Sequence, residues 1–144
     1  MFEIRATLLG LAGRRAALMG DETVNAELRA TVAELNKLVE LGEGEDVTDA
    51  YLAKVQEANI NLCIRTGSTR LAEIIFSLLH QTIRYARLGL ATKERRAQSA
   101  QNWTRLLERI EAGDGDGAEE TVRKMVNRSK DMAVSILLES KESG

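Results

Sequence analysis

The sequence predicts an all-α protein, an antiparallel bundle of about six to seven helices. Apolar residues recur at three- and four-residue steps along almost the whole chain, which is the period of an amphipathic helix. No stretch of useful length shows the period of two that a half-buried strand requires. The breaks between helical stretches are short and rich in glycine, and short connections favour antiparallel neighbours. The 144 residues match the size of one domain, which we assign to residues 1–144.

Each predicted helix begins or ends at a recognisable break in the pattern. Glycine ends a helix readily because it adopts a left-handed backbone, and serine, threonine or aspartate begins one by capping its first N–H groups. By these signals the helices run from Phe2 to Met19, Glu22 to Leu41, Asp46 or Thr48 to Gly67, Ser68 to Leu88, Thr92 to Ala112 and Ala118 to Ser140.

The segment GDGDG, residues 113–117, has the alternating acids of a calcium-binding loop. An EF-hand loop requires a glutamate at its twelfth position, where both carboxylate oxygens bind the ion. Counting from Asp114, that position is Met125. We therefore interpret the segment as a flexible connection between helices.

Composition excludes several classes of protein. The 20 basic and 22 acidic residues give a net charge of −2, which argues against a free-standing nucleic-acid binder. No apolar run approaches the roughly 18 residues of a membrane span, and no signal peptide opens the chain. Cys63 is the only cysteine and lies on an apolar arc, as expected of a core residue in a cytoplasmic protein. His80 is the only histidine, so the sequence lacks the histidines of a multi-histidine metal site and offers only one candidate base for a catalytic triad.

Four predicted helices each carry one polar or polar-tipped residue within an apolar stripe. These are Arg5 near Leu8 and Ala12, Asn59 near Leu52 and Leu62, Trp103 near Ala100 and Leu106, and Ser129 near Met125 and Met132. Buried polar groups need hydrogen-bond partners, so several of them in one bundle favour a shared cavity. The alternative is local satisfaction, in which Ser129 bonds its own helix backbone and Arg5 extends to solvent.

The segment FEIRATLLGLAGRRAA, residues 2–17, resembles the opening helix of the FCD ligand-binding domain of GntR-type transcriptional regulators, the FadR branch. That helix typically reads aromatic-Glu-Val-Arg and then Leu-Glu-Gly-Leu-Ala. The matching residues are Phe2, Glu3, Ile4, Arg5, Leu8, Gly10, Leu11 and Ala12, whereas Leu9 replaces the second glutamate. The segment AYLAKVQEANINLCIRTGSTRLAEII is similar to the family's central helix, and WTRLLERIEAGD and AEETVRKMVNRSKDM are similar to its last two helices.

The resemblance implies a helical bundle that encloses a cavity for a small metabolite. In many members the cavity holds a metal through one aspartate and three histidines. These positions fall here on Val55, Asn59, Trp103 and Ser129, or on Asn127 in place of Ser129 after a small gap shift. None of these side chains is a good metal ligand, so we expect no metal, no cofactor and an organic effector.

The expected ligand is a small carboxylate with an apolar body. Arg5 matches the family's first-helix arginine and can pair with an anionic group. The predicted ligand-binding residues are Arg5, Val55, Asn59, Leu62, Trp103, Leu106, Met125 and Ser129. We expect Arg84 and Arg87, which lie off the main stripe of their helix, at the solvent or an interface.

The resemblance also implies a homodimer that regulates transcription. Within the sequence, the fourth helix supports a dimer because Ala72, Phe76, Leu79 and Ile83 form a second apolar face. In the family a winged helix-turn-helix domain binds DNA. Nothing in these residues resembles that motif, so we expect DNA contact only through a domain outside them.

Two other functions are compatible with the sequence. The first is a purely structural dimerisation module, for which a filled core without a cavity would be expected. The second is an all-α enzyme that uses Arg5, Arg15 and Glu57 for acid–base chemistry. The enzyme is disfavoured because no paired carboxylates face inward.

Overall fold

Seven α-helices make up the chain in the computed structural model, which describes residues 2–67 and 69–143, without the side chains of residues 133, 136 and 140–143. The helices are α1 (Phe2–Met19), α2 (Glu22–Glu40), α3 (Glu45–Arg65), α4 (Thr69–Gln81), α5 (Ile83–Gly89), α6 (Lys93–Glu111) and α7 (Gly115–Ser143). No strand occurs in the described ranges. The predicted all-α bundle is confirmed.

The most extensive helix pair is α1 with α7, and small residues allow it. A Cβ atom added at Gly13 would lie 3.0 Å from Val122 Cγ2, and one added at Gly10 would lie 3.2 Å from Glu119 Cγ. Ala12 and Ala16 on the same helix are completely buried. Close approach of these two helices places the residues of both around the interior of the bundle.

The core is formed by the apolar stripes that the helical periodicity identifies. Trp103, Leu106 and Ile110 of α6 are almost fully buried, and Leu35 and Ile75 are fully buried. Cys63 is also fully buried and free, which confirms its interpretation as a core residue. None of the helices, in the residues described, is long and apolar enough to cross a membrane.

The predicted continuous helix from Ser68 to Leu88 is wrong, because Thr82 separates α4 from α5. The Thr82 hydroxyl bonds the Leu78 carbonyl oxygen at 2.9 Å, and Arg5 Nη1 donates to the same hydroxyl at 3.2 Å. A threonine that bonds back to its own helix can bend it. Here a second helix holds the same hydroxyl, which fixes the break in place.

The prediction that GDGDG is a loop throughout is also wrong, since its last three residues form the first turn of α7. The Asp114 side chain accepts a hydrogen bond of 2.9 Å from the Gly117 backbone N–H, and its carbonyl accepts one from Ala118. Aspartate caps the free N–H groups of a helix in this way. The helix therefore begins three residues before the predicted Ala118.

Arg96 joins three separate parts of the chain from a fully buried position. Its guanidinium donates to the Thr48 hydroxyl at 2.8 Å, to the Leu90 carbonyl at 2.8 Å and to the Gly42 carbonyl at 2.6 Å. The Glu43 carboxylate lies 3.6 Å away. Arg96 therefore fixes the α2–α3 connection, the first turn of α3 and the α5–α6 connection relative to one another.

Candidate functional site

A cavity of about 140 Å³ lies inside the bundle, lined by residues of α1 and of α3 to α7. An apolar cavity of about 150 Å³ is large enough to bind benzene, so this volume accommodates a small metabolite. The walls combine leucine and valine side chains with several polar ones, which is typical of a small-molecule site.

All eight residues that the sequence singled out line this one cavity. They are Arg5, Val55, Asn59, Leu62, Trp103, Leu106, Met125 and Ser129. Asn127, the alternative to Ser129, is exposed and does not line it. Ser129 is itself largely exposed and donates its hydroxyl to the Met125 carbonyl at 3.2 Å, so its hydrogen bond is local. Its contribution to the cavity is at the rim.

Arg5 is the most unusual group in the cavity because it is a buried charge without a counterion. Its side chain is 7% exposed, and its guanidinium carbon lies 5.5 Å from the centre of the Phe2 ring. Its Nε is buried without a hydrogen-bond partner, and no described carboxylate forms an ion pair with it. Burial lowers the pKa of Arg5 from its ordinary value. An anion bound here would supply the missing partner.

Asn59 and Trp103 face the same space from α3 and α6. The Asn59 amide is partly buried and forms no hydrogen bond within the described part of the chain, so it can both donate to and accept from a ligand. Trp103 is 2% exposed and supplies a flat aromatic wall. The apolar residues Leu62 and Leu106 lie next to them along the same two helices.

Sequence reasoning missed a second, polar group of cavity residues. This group consists of Gln56, Tyr85, Arg95, Gln98, Ser99, Asn102 and Arg128. A signal for part of it exists, because Arg95, Ser99, Asn102 and Leu106 follow one another at steps of four, three and four on one face of α6. The stripe that is apolar at Leu106 therefore continues as a polar stripe toward the start of the helix.

The residues proposed for the rival enzyme do not assemble into a site. Arg15 is exposed on α1, and Glu57 is exposed on α3 with Lys54 Nζ 3.6 Å from its carboxylate. Neither lines the cavity that Arg5 lines.

Arg84 and Arg87 are exposed on α5, as expected from their positions off the apolar stripe of the helix. Arg87 pairs with Asp49 at 3.0 Å.

The donor set of the cavity does not suit a metal ion. Valine, an amide, an indole and a hydroxyl stand at the four positions where the resemblance predicts metal ligands, and none of these groups is a strong ligand. Among the described residues, no group of three or more histidine, cysteine, aspartate or glutamate side chains could hold a metal.

Comparison with known proteins identifies one family. The family model of the FCD domain matches residues 1–128, from the first helix to the middle of α7. The match includes every predicted cavity residue except Ser129. No curated protein matches the chain at a significant level.

Proposed function

The chain belongs to the FCD domain family, and on that premise we propose that it is the effector-binding and dimerisation domain of a FadR-type transcriptional regulator. FCD domains are effector-binding regulatory domains of GntR-family regulators and are not a catalytic family. DNA contact would come from a winged helix-turn-helix outside these residues, and a role in transcription would place the protein in the cytoplasm.

We propose a small organic acid as the effector, bound without a metal. The observation that carries this proposal is Arg5, which is buried at the cavity wall with one neutral hydrogen-bond partner and an unpaired Nε. An arginine stays protonated in nearly all protein environments, so the buried charge favours an anionic ligand. The Asn59 amide and the Trp103 ring would position the rest of the molecule.

A thermal-shift screen of organic acids tests the proposal, with the uncharged amide of each acid as its matched control. A ligand that binds only the folded state raises the melting temperature. We expect at least one acid to do so while its amide does not. Arg5→Gln should weaken binding of that acid by about tenfold to a hundredfold, because it removes a bond to a charged group. Arg15→Gln, exposed on the same helix, should leave the affinity unchanged.

The structural module without a ligand predicts a different result for Asn59→Leu, which keeps the volume but removes the amide. If Asn59 is only a core residue, the Asn59→Leu variant is more stable than the unmodified protein, and the affinity for each acid is the same in both proteins. If Asn59 contacts the effector, the variant loses affinity for it. Asn61→Leu, an exposed position on the same helix, controls for the change in composition.

The absence of a bound metal is tested separately by elemental analysis of the purified protein. We expect no zinc, nickel or manganese in stoichiometric amount. Finding one metal ion per chain that is lost on Asn59→Ala would contradict this part of the proposal. The effector would then be expected to bind through the metal ion instead of through Arg5.

A further inference from the structure

The charged residues that line the cavity are all arginines. Arg5 lies on α1, Arg95 in the first turn of α6 and Arg128 on α7, and no described aspartate or glutamate lines the cavity with them. The composition does not explain this segregation, because the chain has 22 acidic and 20 basic residues. The formal charge carried by the described side chains that line the cavity is therefore entirely positive.

Arg95 and Arg128 form no ion pair with any carboxylate in the described part of the chain. Arg95 donates to the Leu88 carbonyl at 3.1 Å. By contrast, Arg109 of the same α6 pairs with Asp114 at 3.3 Å. The lining arginines thus keep charge available for a bound molecule.

The polar side chains of the cavity concentrate beside Arg95. Gln98, Ser99 and Asn102 lie between Arg95 and Trp103 on α6, whereas Leu106 follows Trp103 toward the apolar end. Arg95 and Asn102 are separated by about two helical turns, roughly 10 Å at 1.5 Å per residue. The cavity therefore has a polar, cationic region that extends well beyond one carboxylate group.

We propose that Arg95 and Arg128 bind a second acidic group of the effector, which makes the ligand class a dicarboxylate rather than a simple fatty or hydroxy acid. This inference rests on the proposed function, in which Arg5 binds the first carboxylate. A monocarboxylate bound to Arg5 would have no group for the partly buried Arg95 and the exposed Arg128, which line the same cavity, to bind. A dicarboxylate supplies one acceptor group for the buried Arg5 and one for the two arginines nearer the solvent.

The single tryptophan gives a direct readout, because Trp103 is part of the cavity wall. The probes are butanoate with butanedioate, pentanoate with pentanedioate, and hexanoate with hexanedioate, titrated while Trp103 fluorescence is recorded. The variants are Arg95→Gln/Arg128→Gln and the control Arg105→Gln/Arg123→Gln. The control removes the same charge from the same two helices at exposed positions outside the cavity.

We expect at least one diacid to bind about tenfold or more tightly than the monoacid of equal length. The Arg95→Gln/Arg128→Gln variant should lose that preference while it still binds the monoacid through Arg5, which also shows that it is folded. The control variant should keep the preference. Equal affinities for mono- and diacids, or equal losses in both double variants, would overturn the second acidic group and leave the Arg5 site in place. Failure of every acid to bind the unmodified protein would instead overturn the proposed function.

Discussion

Arg5 Nη1 donates a hydrogen bond of 3.2 Å to the hydroxyl of Thr82, the residue that separates α4 from α5. The bond joins the charge at the cavity wall to the start of a seven-residue helix without a buried residue of its own. That helix contributes Tyr85, Ala86 and Gly89 to the cavity. The position of α5 is therefore linked to the group that we propose as the anion-binding residue.

Thr82→Val should destabilise the fold, because it keeps the shape of the side chain but removes the only hydrogen-bond acceptor that the described chain offers Arg5. Hydrogen bonds to charged groups contribute about 1.5–3 kcal/mol. Thr66→Val is the matched control, since Thr66 is buried and bonds back to Leu62 at 2.8 Å without an arginine. Urea unfolding should show the larger loss for Thr82→Val.

A double-mutant cycle assigns the excess cost to the Arg5–Thr82 pair. In an Arg5→Met background, Thr82→Val should cost no more than Thr66→Val does. Thr82→Ser, which keeps the hydroxyl, should retain most of the coupling. An unchanged cost of Thr82→Val in the Arg5→Met background would show that the threonine acts only on its own helix.

Arg96→Lys should be among the most destabilising conservative changes in the protein. The fully buried guanidinium makes three hydrogen bonds in different directions, and a single ammonium group at the end of a differently shaped chain cannot reproduce them. Loss of two such bonds from buried partners corresponds to roughly 2–4 kcal/mol. Arg105→Lys, exposed on the same helix, should change the free energy of unfolding by less than about 0.5 kcal/mol. Equal stability of the two variants in urea would contradict the structural role of Arg96.

The sequence predicts most of the fold because the helical period and the caps act locally. The bounds of α1 agree with the prediction, and α6 begins one residue after the predicted Thr92, whose hydroxyl caps it by accepting from Arg95 N–H. The predicted start of α3 at Asp46 or Thr48 is wrong, because the helix begins at Glu45, directly after Gly44, without a side-chain cap. The break at Thr82 carries no such local signal. Its stabilising partner, Arg5, is 77 residues away in the chain, so a reading of neighbouring residues could not find it.

The site is predicted in part for a similar reason. Searching for polar residues within apolar stripes finds Arg5 and Asn59, which have apolar neighbours on both sides along the helix. The same search passes over Arg95 and Asn102, because the part of α6 that carries them has no apolar stripe to interrupt. Arg96 was missed because two of its partners are backbone carbonyls, which no side-chain pattern reveals.

Cys63 should make the stability of the protein depend on pH in the alkaline range. Burial raises the pKa of its thiol from 9.0 to about 11 in the folded state. Below about pH 9 the thiol is protonated in both states, and its contribution is fully present. Between about pH 9 and pH 11 only the unfolded chain ionises, so stability falls.

Comparison with Cys63→Ala isolates this effect, because all other titrating groups are shared. Between about pH 9 and pH 11, the free energy of unfolding of the unmodified protein should fall by about 2–3 kcal/mol more than that of Cys63→Ala. Below about pH 9, the difference in free energy of unfolding between the two proteins should not change with pH. If urea unfolding gives the same difference in free energy between the two proteins at about pH 9 and at about pH 11, the thiol ionises as readily in the folded chain as in the unfolded one, and the prediction is wrong. Slow labelling by a thiol reagent below about pH 9 would accompany the expected result.

Phe76→Glu should weaken the dimer that we propose. The predicted second apolar face of the fourth helix is only partly correct, because Ala72 and Leu79 pack into the core. Phe76 remains 60% exposed on α4 and Ile83 39% exposed on α5, and the Phe76 ring stacks on His80 with 6.4 Å between ring centres. An exposed aromatic residue beside other apolar groups is typical of the centre of an interface. A glutamate buried there without a partner would be costly, so sedimentation should show at least about a tenfold weaker dimer.

Leu41→Glu, at an exposed apolar position in the α2–α3 connection, is the control and should leave association unchanged. A monomeric unmodified protein at tens of micromolar, or equal weakening by both variants, would exclude this face as the dimer interface.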